Sequence, residues 1–285
     1  MSDFVLQQSV ECSFESSDSW VILSLIEQSI KRKIESVGTP LKNWDIQINY
    51  GIKTGFNDAF IISTEKRNEI LENCSSEEER SRTAELIRPI LRGRDIKRYG
   101  YDWANLWLIN THNGIKGVKP RIDVNDYPAV KAHLDHYWDK ISKRADKGDT
   151  PYNLRNCAYL EDFFKPKIVY QELTQGSAFA LDLENNYFIS NTGYLITGSN
   201  LNYLIKLLNS RIIEFTYRRF YATLLGDNGL RWLSQHIMNL PIPVYRETDI
   251  QRQIINSSDR KIVEMYICQL YNFSTSEISY FDSLT

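Results

Sequence analysis

The chain has 285 residues, enough to bury one large core or two modest ones without staples. Hydrophobic residues make up 42% and charged residues 25%, which excludes a chain disordered throughout. No apolar run approaches the roughly 18 residues of a membrane span and no cleavable leader is visible at Met1-Ser2-Asp3-Phe4, so a cytoplasmic protein with no membrane partner is expected.

The formal net charge of −2 speaks against a uniformly basic nucleic-acid binder. The charge is uneven, however. From Arg88 to Glu172 there are 16 Lys and Arg against 11 Asp and Glu, which leaves 18 against 25 elsewhere, so one positive face is compatible with the total. Cys12, Cys74, Cys157 and Cys268 lie far apart and read as reduced structural thiols.

In chain order, residues 1–18 are Ser- and Glu-rich and read as a loose lead-in. Trp20 opens an amphipathic helix with Leu23, Ile26 and Ile30 at helical spacing, which stops at Gly38-Thr39-Pro40. Trp44 to Tyr50 alternates as a half-buried strand, and a second strand is predicted at Ala59-Phe60-Ile61-Ile62. A charged helix follows through Arg67 and Leu71, with Glu77-Glu78-Glu79 as a solvated face.

Further strands are expected at Leu106–Ile109, Lys167–Gln171, Phe179–Leu183 and Tyr187–Ile189, with a helix near Ala129–Ser142. Leu201 begins an apolar helix reaching about Arg219, Gly226-Asp227-Asn228-Gly229 is a turn, and Leu240 to Val244 is extended because its prolines cannot donate to a ladder. Asp249 to Leu270 is a helical tail broken near Asn256-Ser257-Ser258. The irregular interleaving favours an α+β fold, divided as a lead-in and helix over 1–40, a central domain over 41–245 and a helical tail over 246–285.

Several chemistries lack their motifs. No Gly-rich nucleotide cradle occurs, and no consecutive prolines, so the Asn/Asp-Pro-Pro-Tyr/Phe loop of amino-group DNA methyltransferases is absent. His133 and His136 stand at i, i+3 with no third ligand near in sequence, so no metal site is expected there. Asp162, Glu172 and Lys167 are the residues a metal-dependent nuclease would have to use, at a spacing that fits poorly.

Three segments combine cations, amides and aromatics. Gly51-Ile52-Lys53-Thr54-Gly55-Phe56-Asn57 offers Lys53 and Thr54 for phosphates and Asn57 for an adenine edge; a tight turn with Phe56 and Phe60 inside is the structural alternative. Ile87 to Tyr99 carries Arg92, Arg94, Lys97 and Arg98 around a flexible Gly93, unless Asp95 and its neighbours neutralise them. Asp149 to Tyr159 is dense in base-reading types, Tyr152, Asn153, Arg155 and Asn156, and equally suits an ordered loop. A fourth segment, Leu207 through Arg219, closing with Ile242-Pro243, reads as scaffold.

Gly-Ile-Lys-Thr-Gly-Phe-Asn-Asp-Ala-Phe, then Pro-Ile-Leu-Arg-Gly-Arg-Asp-Ile-Lys-Arg-Tyr, Tyr-Asn-Leu-Arg-Asn-Cys, Leu-Leu-Asn-Ser and Pro-Ile-Pro follow one another over most of residues 40–245. In this order they resemble the TaqI-like C-terminal specificity domain of adenine-N6 DNA methyltransferases and type IIG restriction enzymes. The resemblance implies an irregular mixed-β, double-β-helix-like core with a helical C-terminal hairpin. It also implies a double-stranded DNA partner and a methyltransferase or endonuclease catalytic domain, in cis or as a separate subunit, that flips an adenine. S-adenosylmethionine and Mg²⁺ then belong to that catalytic part, and this chain alone is non-catalytic. The alternatives are a nuclease fragment built on Asp162, Glu172 and Lys167, or a protein-interaction module docking through its helical tail.

Overall fold

The computed structural model describes residues 23–184, 186–222, 224–225 and 229–284. The expected lead-in over 1–18, the Trp20-Val21-Ile22 start of the first helix and residues 226–228 of the expected turn lie outside them. The chain mixes helix and sheet and divides into two units. One holds the chain up to residue 45 with 175–177 and 202 onward; the other holds 46–174 and 178–201.

The first unit is mostly helical. Ser24 caps the helix Leu25–Val37 in a reciprocal box with Glu27, and Gly38 ends it where the backbone passes so close to Pro241 that an added Cβ would lie 2.3 Å from the Pro241 carbonyl oxygen. Thr39–Pro40 then pairs antiparallel with Pro241–Ile242. The single helix expected over 201–219 is broken. Leu201–Leu208 ends at Asn209, and Ser210 starts a new helix, Arg211–Thr216, by accepting the Ile213 N–H at 3.1 Å. A helix-capping side chain within the apolar run wins over the periodicity.

A π-helical turn, Tyr217–Tyr221, follows, with Tyr217 stacked on the buried Trp232 at 3.9 Å. The tail forms Asp249–Asn256, Arg260–Leu270 and Thr275–Ser283, each started by a side-chain cap from Thr248, Asp259 or Ser274, and the break at 256–258 is as read.

Two buried carboxylates knit this unit. Glu27 accepts from Arg219 Nε at 2.6 Å and Tyr280 Oη at 3.1 Å; Glu277 accepts from Lys33 Nζ at 2.6 Å and Ser29 Oγ at 2.7 Å. Burial works to raise both carboxyls, but hydrogen bonds from Arg219 and Ser24 to Glu27, and from Lys33 and Ser274 to Glu277, overcome it and hold both at about 2. Their stabilisation is therefore complete above the ordinary value of 4.5 and is lost as pH falls towards 2. Urea midpoints are expected to fall through that window, and Glu27→Gln to cost about 2 kcal/mol at neutral pH, less than a fully buried pair because Arg219 is partly exposed. A variant that acidifies with the same loss as the parent would show that Glu27 contributes nothing to it.

The second unit carries two four-stranded sheets. In one, the order is Phe179–Asp182, Lys167–Gln171, Gly193–Gly198, Ile46–Tyr50, all antiparallel. In the other it is Phe188–Ile189, Ile87–Leu91, Leu106–Ile109, Ile61–Ser63, with the first pair parallel. Their shared core includes Phe60, Ile90, Leu91, Leu108, Phe163, Val169, Phe188 and Leu195, all essentially inaccessible. Lys167–Gln171 is covered on both faces, which explains its unbroken Ile-Val-Tyr run.

Four expectations change here. Ala59 and Phe60 are consecutive and both wholly buried, which an alternating strand does not allow; they lie in a helical turn, Asn57–Phe60, and the strand begins at Ile61. The charged helix is two, Thr64–Glu72 and Glu77–Leu86, because Ser76 caps the second; Pro128–Asp135 and Trp138–Ile141 likewise replace one helix. Glu79 is not on a solvated face. It is 3% exposed, accepts from Ser75 N–H and Oγ at 2.8 and 2.7 Å, and takes the Ala129 N–H at 3.0 Å at the start of the next helix. Burial opposes its ionisation, and these hydrogen bonds still hold its carboxyl below the usual range.

Candidate nucleic-acid interface

The strand Ile46–Tyr50 delivers the chain to Gly51, whose position admits no side chain: a Cβ would sit 1.9 Å from the Ser190 carbonyl oxygen. Gly51 N–H bonds Gly193 O at 2.9 Å and Ile52 N–H bonds Ile189 O at 2.6 Å. Beyond them Lys53 is exposed, with Nζ 3.4 Å from Asp146. Thr54 is buried and its hydroxyl donates to Asn57 Oδ1 at 2.5 Å, while Asn57 itself is exposed.

The basic segment 87–99 begins as a strand with Pro89 inside it, and Gly93 is not flexible. Gly93 is buried, donates to Thr192 Oγ1 at 2.9 Å, and would place a Cβ 2.5 Å from Thr192 O. Arg92 forks onto buried Asp95, Nη2 to Oδ1 at 2.7 Å and Nε to Oδ2 at 3.0 Å, and that hydrogen bonding raises its pKa. The neutralising alternative therefore describes Arg92, whereas Arg94 and Lys97 are exposed; Lys97 Nζ donates to Arg94 O at 2.8 Å. Arg98 is half-buried, and Tyr99, exposed at the turn into Gly100, takes a left-handed φ of 64°.

The third segment is organised by a residue that sequence reading passed over. Arg144, 7% exposed, lies with its guanidinium carbon 4.2 Å from the centroid of the Phe60 ring and donates to the carbonyls of Thr54, Asp146, Pro151 and Asn153. Burial brings its pKa down to about 10, so it stays charged at neutral pH. Asn153 is inside this framework: Nδ2 donates to Ile122 O at 2.9 Å and Oδ1 accepts from Thr150 at 2.6 Å. Tyr152 Oη donates to Asp135 at 2.5 Å. Arg155 and Asn156 are exposed; Arg155 Nη1 is 3.1 Å from Asp146, and Asn156 accepts from Asn113.

The first and third segments thus share Arg144 and Asp146, and the first and second share the turn Ser190 to Gly193. Lys53, Asn57, Arg94, Lys97, Arg155 and Asn156 face solvent, while Thr54 and Asn153 hold loops in shape. The turn has ordinary turn residues, but nothing local marks it as the meeting point of Gly51 and Gly93. Lys143-Arg144-Ala145-Asp146-Lys147 reads as a charged surface run and conceals the buried Arg.

The nuclease constellation is not assembled. Lys167 is wholly buried against Asp182 at 2.7 Å, Asp162 pairs with Lys165 at 2.7 Å, and Glu172 accepts from Tyr194 at 3.2 Å. His133 bonds Ala59 O and His136 bonds Ala132 O, and among the described residues no three metal-ligating side chains come together. Burial pushes the Cys157 and Cys268 thiols up to about 11, far from nucleophilic. No described helix is long and apolar enough to cross a membrane.

The family model of the TaqI-like C-terminal specificity domain matches residues 88–242. The type II methyltransferase M.PaeR7I of Pseudomonas aeruginosa is 20% identical in an alignment 274 residues long that covers 92% of this chain and 44% of that protein, so the chain spans less than half the length of this curated relative. Among solved structures, the type IIL restriction-modification enzyme MmeI in complex with DNA is similar at a TM-score of 0.55 and 13% identity, over 86% of this chain and 36% of its own. The type IIG restriction endonuclease BpuSI is similar at 0.58 and 14%, over 91% and 31%. At such identities the two structures speak for the fold, whereas the family match extends over more than half of the sequence: the chain belongs to the TaqI-like C-terminal specificity domains.

Proposed function

We propose that this chain reads sequence in duplex DNA as the specificity region of a restriction-modification protein, with a methyltransferase or endonuclease catalytic part, in cis or as a separate subunit, supplying the chemistry. S-adenosylmethionine and Mg²⁺ then serve that part. The observation that carries the reading is the convergence of exposed cations and amides on buried anchors: Lys53 and Asn57 with Arg155 and Asn156 around Arg144, and Arg94 with Lys97 just after Gly93, which is held by the turn that also seats Gly51. Exposed cations hold phosphates and exposed amides read edges; buried Thr54 and Asn153 set loop shape, and Arg92, Arg98 and Tyr152 brace the surface. The two four-stranded sheets of the second unit form, in this reading, the double-β-helix-like core, and the capped tail helices form the C-terminal hairpin.

The test is selection of a randomised duplex library by the purified chain at low and moderate salt. An enriched motif is the expected outcome. Arg94→Ala and Lys97→Ala should each flatten the slope of log K against log salt by about 0.9 for all sequences. Asn156→Ala should cost about 1–3 kcal/mol and relax one position of the motif. Absence of binding at low salt would refute the assignment.

A further inference from the structure

Between the second and third segments runs Asn113 to Arg121, a hairpin that neither the motifs nor the family order singles out. Ile115 and Lys119 bond each other both ways, N–H to O at 2.8 and 2.9 Å, and the Val118 N–H closes on Ile115 O at 2.9 Å. The turn depends on two glycines. Gly114, at φ +74°, would place a Cβ 2.5 Å from Lys119 O, and Gly117, at φ +75°, has nothing within 4 Å of where its Cβ would be. The first makes the stalk, and the second shows the tip standing in open space.

The stalk is held firmly. Gly114 N–H bonds His112 Nδ1 at 3.1 Å, and Asn113 binds Asp149 through both Oδ1, which takes the Asp149 N–H at 2.8 Å, and Nδ2, which reaches its carboxylate at 3.0 Å. Asn113 Nδ2 also donates to Asn156. The tip is Lys116-Gly117-Val118. Val118 is 78% exposed, more than any other large apolar side chain among the described residues. Lys116 is exposed and has no carboxylate within salt-bridge distance among the described residues. Lys119 and Arg121, lower on the hairpin, pair with Glu161 at 3.1 Å and Asp149 at 3.7 Å, both on the surface. Hairpin and loop enclose an open cavity of about 810 Å³ with Asn156 in its wall.

One exposed valine means little by itself. Raised on a rigid stalk, beside an unpaired cation and next to an amide of the proposed reading surface, it has the form of a groove probe: an apolar tip for base or sugar edges, a Lys for the phosphate beside it, and little order left to lose on binding. We infer that the hairpin tip enters a groove of the bound duplex, with Val118 contributing to sequence preference and Lys116 neutralising a phosphate. This rests on the DNA-reading assignment above and deepens it.

Lys116→Ala and Val118→Ser, both at exposed positions and both expected to unfold at the parent's temperature, separate the two roles. Binding to a fluorescent random-sequence duplex across a salt series, with library selection in parallel, is the measurement. Lys116→Ala should flatten the salt slope by about 0.9. Val118→Ser should keep the parent's slope, weaken binding about fivefold and relax one position of the enriched motif. If both variants keep the parent's affinity, slope and motif while Arg94→Ala weakens binding, the hairpin assignment is overturned and DNA reading stands. A parent that binds no duplex at low salt overturns both.

Discussion

Arg144→Ala is expected to destabilise the fold by about 3–5 kcal/mol and to abolish sequence-selective DNA binding at the same time. The guanidinium ties Thr54 on one loop to Asp146, Pro151 and Asn153 on another, and covers the Phe60 ring. Alanine removes the shared donor, takes its partner from the buried Thr54 carbonyl and opens a void beside Phe60. Arg144→Lys should rescue little, because an ammonium cannot fork to carbonyls on several sides in one plane. Denaturant unfolding gives the stability change, and limited proteolysis reports whether 51–57 and 146–156 loosen together. A variant that unfolds like the parent, with both loops protected, would dismiss Arg144 as the organiser.

The second large effect lies at the wholly buried pair Lys167 and Asp182, which face each other across the antiparallel strands with Nζ 2.7 Å from Oδ2. Lys167 Nζ also donates to Phe163 O at 2.9 Å, and Asp182 accepts the Tyr187 N–H at 3.2 Å, so the pair fixes a 3-10 turn and a loop as well as the sheet. Burial pulls the Lys167 pKa down, and the Asp182 partner opposes that pull. Asp182→Leu alone is expected to cost about 3–5 kcal/mol by leaving a buried ammonium uncompensated. Lys167→Met with Asp182→Leu should recover most of the loss, giving a coupling of more than about 1 kcal/mol in a double-mutant cycle. Additive losses would mean that the pair is not coupled.

In the proposed DNA-reading role the exposed cations are not equivalent. Lys53 and Arg155 already share Asp146, so each has only part of its charge for a ligand, whereas Arg94 and Lys97 stand on the surface. The salt dependence of binding should therefore be carried more by the second segment than by the first.

By itself the sequence determined what acts over a few residues. The stop at Gly38, the strand at Lys167–Gln171, the break at 256–258 and the order of family segments were all readable, because periodicity and turn residues act within about one helical turn, whereas the Ser24 cap, which starts the first helix at Leu25, lies inside a run that reads as helical from Trp20. Only the tertiary structure decided which charged residues are interior. Glu79 stands in a run that reads as solvated, yet it caps a helix begun 50 residues later. Arg144 reaches a carbonyl 90 residues away, and Gly93 is fixed by a threonine 99 residues away. Local sequence carries no record of such partners. Whether a charge is buried depends on which hydrogen bonds compensate its desolvation, and those exist only once the sheets have brought distant loops together.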